Sequence, residues 1–252
     1  MTAGSSIAGL HAVFRRELGS YFTTPLAFVF LAAFAFAAPA FAFNVGRFFD
    51  TNRADLAPLF AYLPWLLMIL MPALAMRAWA EERDRGTIET LLSLPVPVWA
   101  ASLGKFLAAW VVAGLALALT FPMWIAVNYL GAPDNMAIAA GYLGAFLLAG
   151  AYLAIGQALS ATTGNQVVAF VLGVLAAFLL TMAGSPFVTG ALSSAVPAWL
   201  VEAIAHLSAL ERFSAFQSGV IGVKDLVYFL SFIAGGTAAA GLLIGASRAG
   251  GR

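Results

Sequence analysis

Apolar positions along this chain follow two rhythms. Six runs are almost unbroken: residues 25–45, 58–76, 106–127, 138–159, 167–185 and 226–246 contain no Asp, Glu, Lys, Arg or His. A helix rising about 1.5 Å per residue needs about 20 apolar residues to cross a hydrocarbon core about 30 Å thick. A charge at the centre of such a helix costs about 2.5 to 3.5 kcal/mol. The six runs are therefore expected to span a membrane. The first run is too long for a cleaved leader and is expected to stay in the mature protein.

The second rhythm is amphipathic. Over residues 6–22, Ile7, Leu10, Phe14, Leu18 and Tyr21 recur at helical spacing, with Arg15, Arg16, Glu17 and Ser20 elsewhere on the wheel. This pattern predicts a helix lying in the membrane interface. Between the second and third runs, Glu81, Glu82, Arg83, Asp84 and Arg85 precede Gly86, and Ile88, Leu91 and Leu92 then fall at i, i+3 and i+4. Thr87 stands where a cap belongs, and Pro95 and Pro97 end the pattern. A helix this short is marginal alone, so tertiary packing must hold it. Between the fifth and sixth runs, Pro197, Trp199, Leu200, Ile204, Leu207 and Leu210 predict short helices. Pro39, well inside the first run, predicts a kink.

The expected fold is thus an all-α membrane protein forming a single domain over residues 1–252. It has six transmembrane helices, an N-terminal interfacial helix, a short helix between spans two and three, and short helices between spans five and six. Composition agrees: 63% of residues are hydrophobic and 9% charged, against about 25% charged in soluble domains. Mean hydropathy is +0.96.

Basic residues set the expected orientation. With the N-terminus inside, Arg15, Arg16, Arg77, Arg83, Arg85, Lys105, Arg248 and Arg252 are cytoplasmic, while Arg47, Arg53, Arg212 and Lys224 are outside. Eight against four places both termini in the cytoplasm. A net charge of +1 without a basic run argues against nucleic acid.

Several chemistries lack their raw materials. Without Cys there are no disulfides, thiolate metal sites or thiol nucleophiles. Glu202 and His206 stand at i, i+4, but two ligands do not make a metal site, and His11 is far from them in topology. No phosphate-binding loop is present: before Gly104-Lys105, Trp99 occupies the place of the first Gly, and Phe106 the place of Ser or Thr. With no ionisable group inside a span, neither a membrane hydrolase nor an ion-coupled transporter fits. Coupling to an outside energy source fits better. The charged run has two readings at this point, a solvated loop that sets topology and a docking site for a protein partner.

The segment GTIETLLSLPVPVWAASLGKF resembles the cytoplasmic-loop signature of ABC transporter permeases of the type-2 export class. The likeness is strongest to the gliding-motility-type and nitrous-oxide-reductase-maturation-type subgroup. Glu81, Glu82, Arg83, Gly86, Thr87, Glu89, Leu91, Leu92, Pro95, Gly104 and Lys105 carry it. Two further blocks agree in order. Residues 158–173 match through Ser160, Thr163, Asn165 and Gln166, with Gly164 where a basic residue is common. Residues 212–231 match through Phe213, Phe216, Gly219, Val220, Asp225, Tyr228 and Phe229.

The resemblance implies a coupling helix at residues 86–94 that rests in a groove of an ATP-binding subunit. The implied coupling residues are Glu81, Glu82, Arg83, Arg85, Gly86, Thr87, Ile88, Glu89, Leu91 and Leu92. It also implies two copies of an ABC ATPase subunit that hold ATP and Mg, leaving no cofactor in this chain. A second permease chain, identical or homologous, is expected, along with an extracytoplasmic accessory protein and surrounding membrane lipid. Trp199, Phe213 and Phe216 are candidates for closing the outer mouth of the pathway. The expected function is a non-catalytic permease subunit of an exporter in a bacterial inner membrane. The alternative is an anchor that passes force from a cytoplasmic ATPase to an outside partner without moving a solute.

Overall fold

The computed structural model describes residues 3–49, 53–93, 95–193 and 196–250. These residues form α-helices with no strand among them. In chain order they are α1 (Ala3–Thr23), α2 (Pro25–Ala40) followed by a π turn (Phe41–Val45), α3 (Ala57–Ala75), α4 (Ala80–Asp84), α5 (Ile88–Ser93), α6 (Val98–Ala118) and α7 (Phe121–Leu130). After these come α8 (Asn135–Ser160), α9 (Gln166–Met182), α10 (Pro186–Ser193), α11 (Ala198–His206), α12 (Ala209–Gln217) and α13 (Val223–Gly250).

The chain is an all-α, multi-pass membrane protein. Five stretches are long and apolar enough to cross a membrane: Ala27–Val45, Ala57–Asp84, Val98–Leu130, Asn135–Ser160 and Val223–Ala246. A sixth exists only if α9 and α10, bent by 81° at their junction, count as one span. The fifth expected run, 167–185, is therefore corrected: α9 ends at Met182, before the Gly184–Ser185–Pro186 sequence. The third expected run, 106–127, lies within Val98–Leu130. Its helix begins at Val98 rather than at residue 106, which puts Lys105 inside a helix.

α8 is the buried centre, and its small residues explain how. Cβ atoms on Gly144, Gly150 and Gly156 would stand 2.6 Å from Phe216, 2.8 Å from Ile233 and 2.7 Å from Ala75 respectively. These positions let α12, α13 and α3 approach α8 within one chain. Several polar groups in the spans pair across helices: Thr120 with Tyr142 at 2.9 Å, Tyr152 with Thr181 at 2.6 Å, and Gln157 Nε2 donating to the Ser102 carbonyl at 2.8 Å.

Proline punctuation acts where the sequence places it. Pro39 supplies no N–H, and the helix loosens just beyond it into the π turn, where the Asn44 side-chain amide donates to the Ala40 carbonyl at 2.9 Å. The break between α3 and α4 is held by Ser160 at the end of α8. Its hydroxyl accepts from the Trp79 and Ala80 amides at 3.1 and 3.0 Å and donates to the Met76 carbonyl at 2.8 Å.

Removing that hydroxyl leaves two amides in a buried site without their acceptor, where each orphan costs about 1–3 kcal/mol. Ser160→Ala is expected to lower the thermal midpoint of the detergent-solubilised protein and to raise amide exchange over residues 76–84. Unchanged exchange there would show that the break is held by something else.

Candidate functional site

The charged run of the sequence lies at one end of the bundle. α1, α4, α5, the start of α6 and the last turns of α13 meet there, as Ile244, Leu91, Trp79 and Ala101 share a small buried cluster. α5 leaves α4 through Gly86, whose φ of +66° suits a residue without a Cβ. Leu91 is buried in the cluster, Ile88 packs against it, and Glu89 and Thr90 face outward. Thr87 sends its hydroxyl back to the Glu82 carbonyl at 3.4 Å. Leu94 and the side chain of Leu92 lie outside the described residues.

The carboxylates expected to face a partner turn inward. Glu82 Oε1 accepts from Lys105 Nζ at 2.8 Å and from Arg16 Nη2 at 3.0 Å. Glu17 Oε1 accepts from the same two cations, at 3.0 Å from Lys105 and 2.6 Å from Arg16. Glu81 is gripped by Arg77 at 2.6 Å and Arg85 at 2.7 Å. Of the charged coupling candidates Glu81, Glu82, Arg83, Arg85 and Glu89, the structure gathers Glu81, Glu82 and Arg85 around one polar cleft of about 410 Å³, and Thr87 and Leu91 also line it.

Lys105 is the centre of this arrangement. It is 4% exposed, stands about 10 Å into α6 from Val98, and lies 5.2 Å from the centre of the Trp79 ring. A cation buried there survives only with close anions and an aromatic face. The preceding residue serves the same contact. A Cβ on Gly104 would meet Val13 at 3.1 Å and the Leu10 carbonyl at 3.2 Å, so a side chain here would push α1 outward by a few tenths of an ångström.

The buried face of α1 differs from the expected one. Tyr21 is buried and Phe14 and Leu18 pack against the core as expected, while Ile7 is exposed and Gly9 and Val13 are buried in addition, so the stripe is corrected at Ile7 and its centre shifts toward Gly9 and Val13. Glu17 stands in register with Gly9, Val13 and Tyr21, and its bond to Lys105 sets the rotation. Hydrophobic spacing alone misses this, because the residue that fixes the face is charged. The available signal was a lone lysine after a glycine near the start of an apolar helix, with a glutamate in the amphipathic helix before it.

At the opposite end, α12 packs on α8 through Phe213 and Phe216, both fully buried. Trp199, on α11, is 69% exposed. The three outer-mouth candidates are therefore not brought together. Glu202 and His206 are exposed on α11.

A bundle of apolar helices, a half-buried short helix between two spans and short helices at the other end form the geometry against which relatives can be read. The family described as ABC-2 family transporter protein matches residues 54–207, more than half of the chain. The chain belongs to the ABC-2 transporter family. Comparison with the curated proteins gives no match. Membership makes this ABC-2 protein a permease subunit of the membrane-transport class, whose members generally work as dimers with an ATPase partner. The matched residues include Glu82 and Lys105 but not Arg16 or Glu17, so the ion cluster ties the family region to the helix that precedes it.

Burial alone raises the Glu17 carboxyl, and the attraction and hydrogen bonds of Lys105 and Arg16 outweigh it, leaving Glu17 below the usual carboxylate range. A depressed folded value stabilises the protein above the unfolded glutamate value near ~4.3 and is lost as pH falls through the folded value. Contact between α1 and α6 is therefore expected to loosen as pH drops below about 4, seen as faster amide exchange over residues 9–21. Lys105→Met, which removes the buried cation the two carboxylates share and leaves them to the half-exposed Arg16, is expected to cost about 3 kcal/mol and to flatten that pH dependence. A pH profile identical in wild type and variant would refute the pairing.

Proposed function

We propose that this ABC-2 protein is the membrane half of an ATP-driven exporter and that α5 is the element through which a separate ATPase drives it. The observation that carries this reading is the mounting of α5. One side is anchored by Leu91 against Trp79 and Ala101, and the other presents Glu89 and Thr90 outward at the tip of the bundle. A helix this short, propped from behind and with Glu89 exposed in front, suits a push from a docked subunit. Through Trp79 and the Ser160 hydroxyl, such a push reaches the ends of α3, α6 and α8 together.

The same proposal includes two ATPase copies that bind the ATP and Mg, a second permease chain, identical or homologous, and no catalysis by this chain. It places α5 in the cytoplasm of a bacterial inner membrane with both termini on that side. The eight-to-four distribution of basic residues supports that orientation, as does the meeting of α1, α5 and the last turns of α13 at one end. Of the residues counted, Arg252 and the side chain of Arg248 lie outside the described residues. The sequence blocks favour the gliding-motility-type and nitrous-oxide-reductase-maturation-type subgroup. In the proposed complex, Phe213 and Phe216 anchor the outer helices and Trp199 meets the outer surface.

One observation favours a second reading, transmission of force to an extracytoplasmic partner. Among the described residues, α10 and α11 bury no side chain and hold Phe187 and Trp199 outward. Reconstituted vesicles separate the two readings: ATP hydrolysis with solute movement supports export, and hydrolysis without it supports the anchor.

Docking through α5 makes a prediction that separates its two sides. Glu89→Lys is expected to reduce permease-stimulated ATP hydrolysis about tenfold with an unchanged thermal midpoint. Leu91→Ala is expected to lower the midpoint itself by opening a cavity worth about 2–5 kcal/mol. Full stimulation by the Glu89→Lys protein would remove α5 as the contact.

A further inference from the structure

α1 turns its inner face to the ion cluster, and the transport reading gives its outer face nothing to do. The two faces differ in charge. α1 holds one carboxylate, Glu17, and that group points inward to Lys105 at 3.0 Å. Outward, toward its C-terminal end, stand Arg15, Gly19 and Phe22, spaced i, i+4 and i+7 on one side of the helix and all exposed. Arg15 takes part in no ion pair among the described residues.

Neighbouring contacts set the height of this face relative to the membrane. The Tyr21 hydroxyl donates to the Leu74 carbonyl at 3.2 Å, beside the last residue of α3, and the apolar run of the first span starts at Ala27. Phe22 therefore sits at the edge of the hydrocarbon. Its ring meets Phe28 of α2 edge-on at 5.9 Å, so the outer face of α1 continues into the exposed side of a spanning helix, where Val29 and Phe36 also point outward. Arg15 stands two turns, about 10 Å, along α1 from Phe22. Headgroups occupy about 5–8 Å on each side of the hydrocarbon core, and the long stem of an arginine brings its head down to them. Gly19 leaves the space between open, since a Cβ there would meet nothing within 4 Å.

An aromatic ring at the hydrocarbon edge and an unpaired guanidinium at headgroup height complement a lipid whose head is negatively charged. Arg16, half exposed beside them, is already shared by Glu17 and Glu82, which together with Lys105 make a neutral cluster. The uncommitted charge of this face is that of Arg15. Phosphatidylcholine offers a phosphate together with a cation of its own, so an uncommitted guanidinium favours phosphatidylglycerol over it. We infer that the outer face of the last two turns of α1 is a contact for an anionic phospholipid of the leaflet on the α5 side. Phe22 meets the top of its acyl chains and Arg15 its head. The contact goes beyond the transport reading and does not rest on it, and it holds α1 from outside while Lys105 holds it from inside.

The test uses the full chain in phosphatidylcholine nanodiscs doped with phosphatidylglycerol or phosphatidylcholine probes that carry the same photoactivatable group at the top of one acyl chain. Labelled residues are located by mass spectrometry, and labelling summed over the rest of the chain normalises the two probes. One basic residue near the headgroup is worth about fivefold, so labelling of residues 19–23 is expected to favour the anionic probe by about that factor. Arg15→Gln is expected to bring the ratio near one with an unchanged thermal midpoint, and Arg15→Lys to keep it. A wild-type ratio near one overturns the inference, as does a preference that survives Arg15→Gln or that Arg15→Lys abolishes. Cross-links from residues 19–23 to a second protein chain in place of lipid assign the face to a protein partner and overturn it too.

Discussion

A buried cation has to be answered, and at the α5 end of this protein the answer organises everything nearby. Lys105 enters the bundle because α6 starts well before its apolar run, and it is neutralised by one carboxylate from α1 and one from α4. Those bonds fix the rotation of α1, the direction of α4 and, through Gly86, the position of α5. The gain is specificity more than raw stability, since buried ion pairs roughly break even against apolar packing. Alternative rotations of α1 would strand Glu17 and Lys105 apart.

Much of this was legible in the residues, though unequally. The apolar runs located the spans, the prolines located their distortions, and the i, i+3, i+4 pattern located α5 and the need to prop it. Helix ends depart from the apolar runs at Lys105 and Met182 for different reasons. A lysine looked like the edge of a span because charge is normally excluded, and here its partners come from segments distant in sequence. α9 ended early because the chain turns at Gly184 and Ser185, while hydropathy continues through the bend.

The clustering of the charged run was legible, and its internal pairing was not. Glu81 and Glu82 looked like an external handle because a linear sequence shows charges without their partners. Folding commits both to internal cations and leaves Glu89 and Thr90 as the outward surface. Gly104 and Lys105, both within the residues matched by the family, gain a physical reason for standing together. One removes a Cβ so that α1 can approach, and the other bonds what α1 brings.

The sharp turn after α9 has its own result for the surrounding bilayer. Seventeen residues rise about 26 Å, less than a hydrocarbon layer of about 30 Å. The shortfall is met by α10, turned aside by 81° with Phe187 outward. Lipids beside this corner must thin or let α10 sink among their tails, at a cost of fractions of a kcal/mol per ångström. Membrane thickness therefore acts directly on the tilt of α10, and a thicker membrane draws it further from the water.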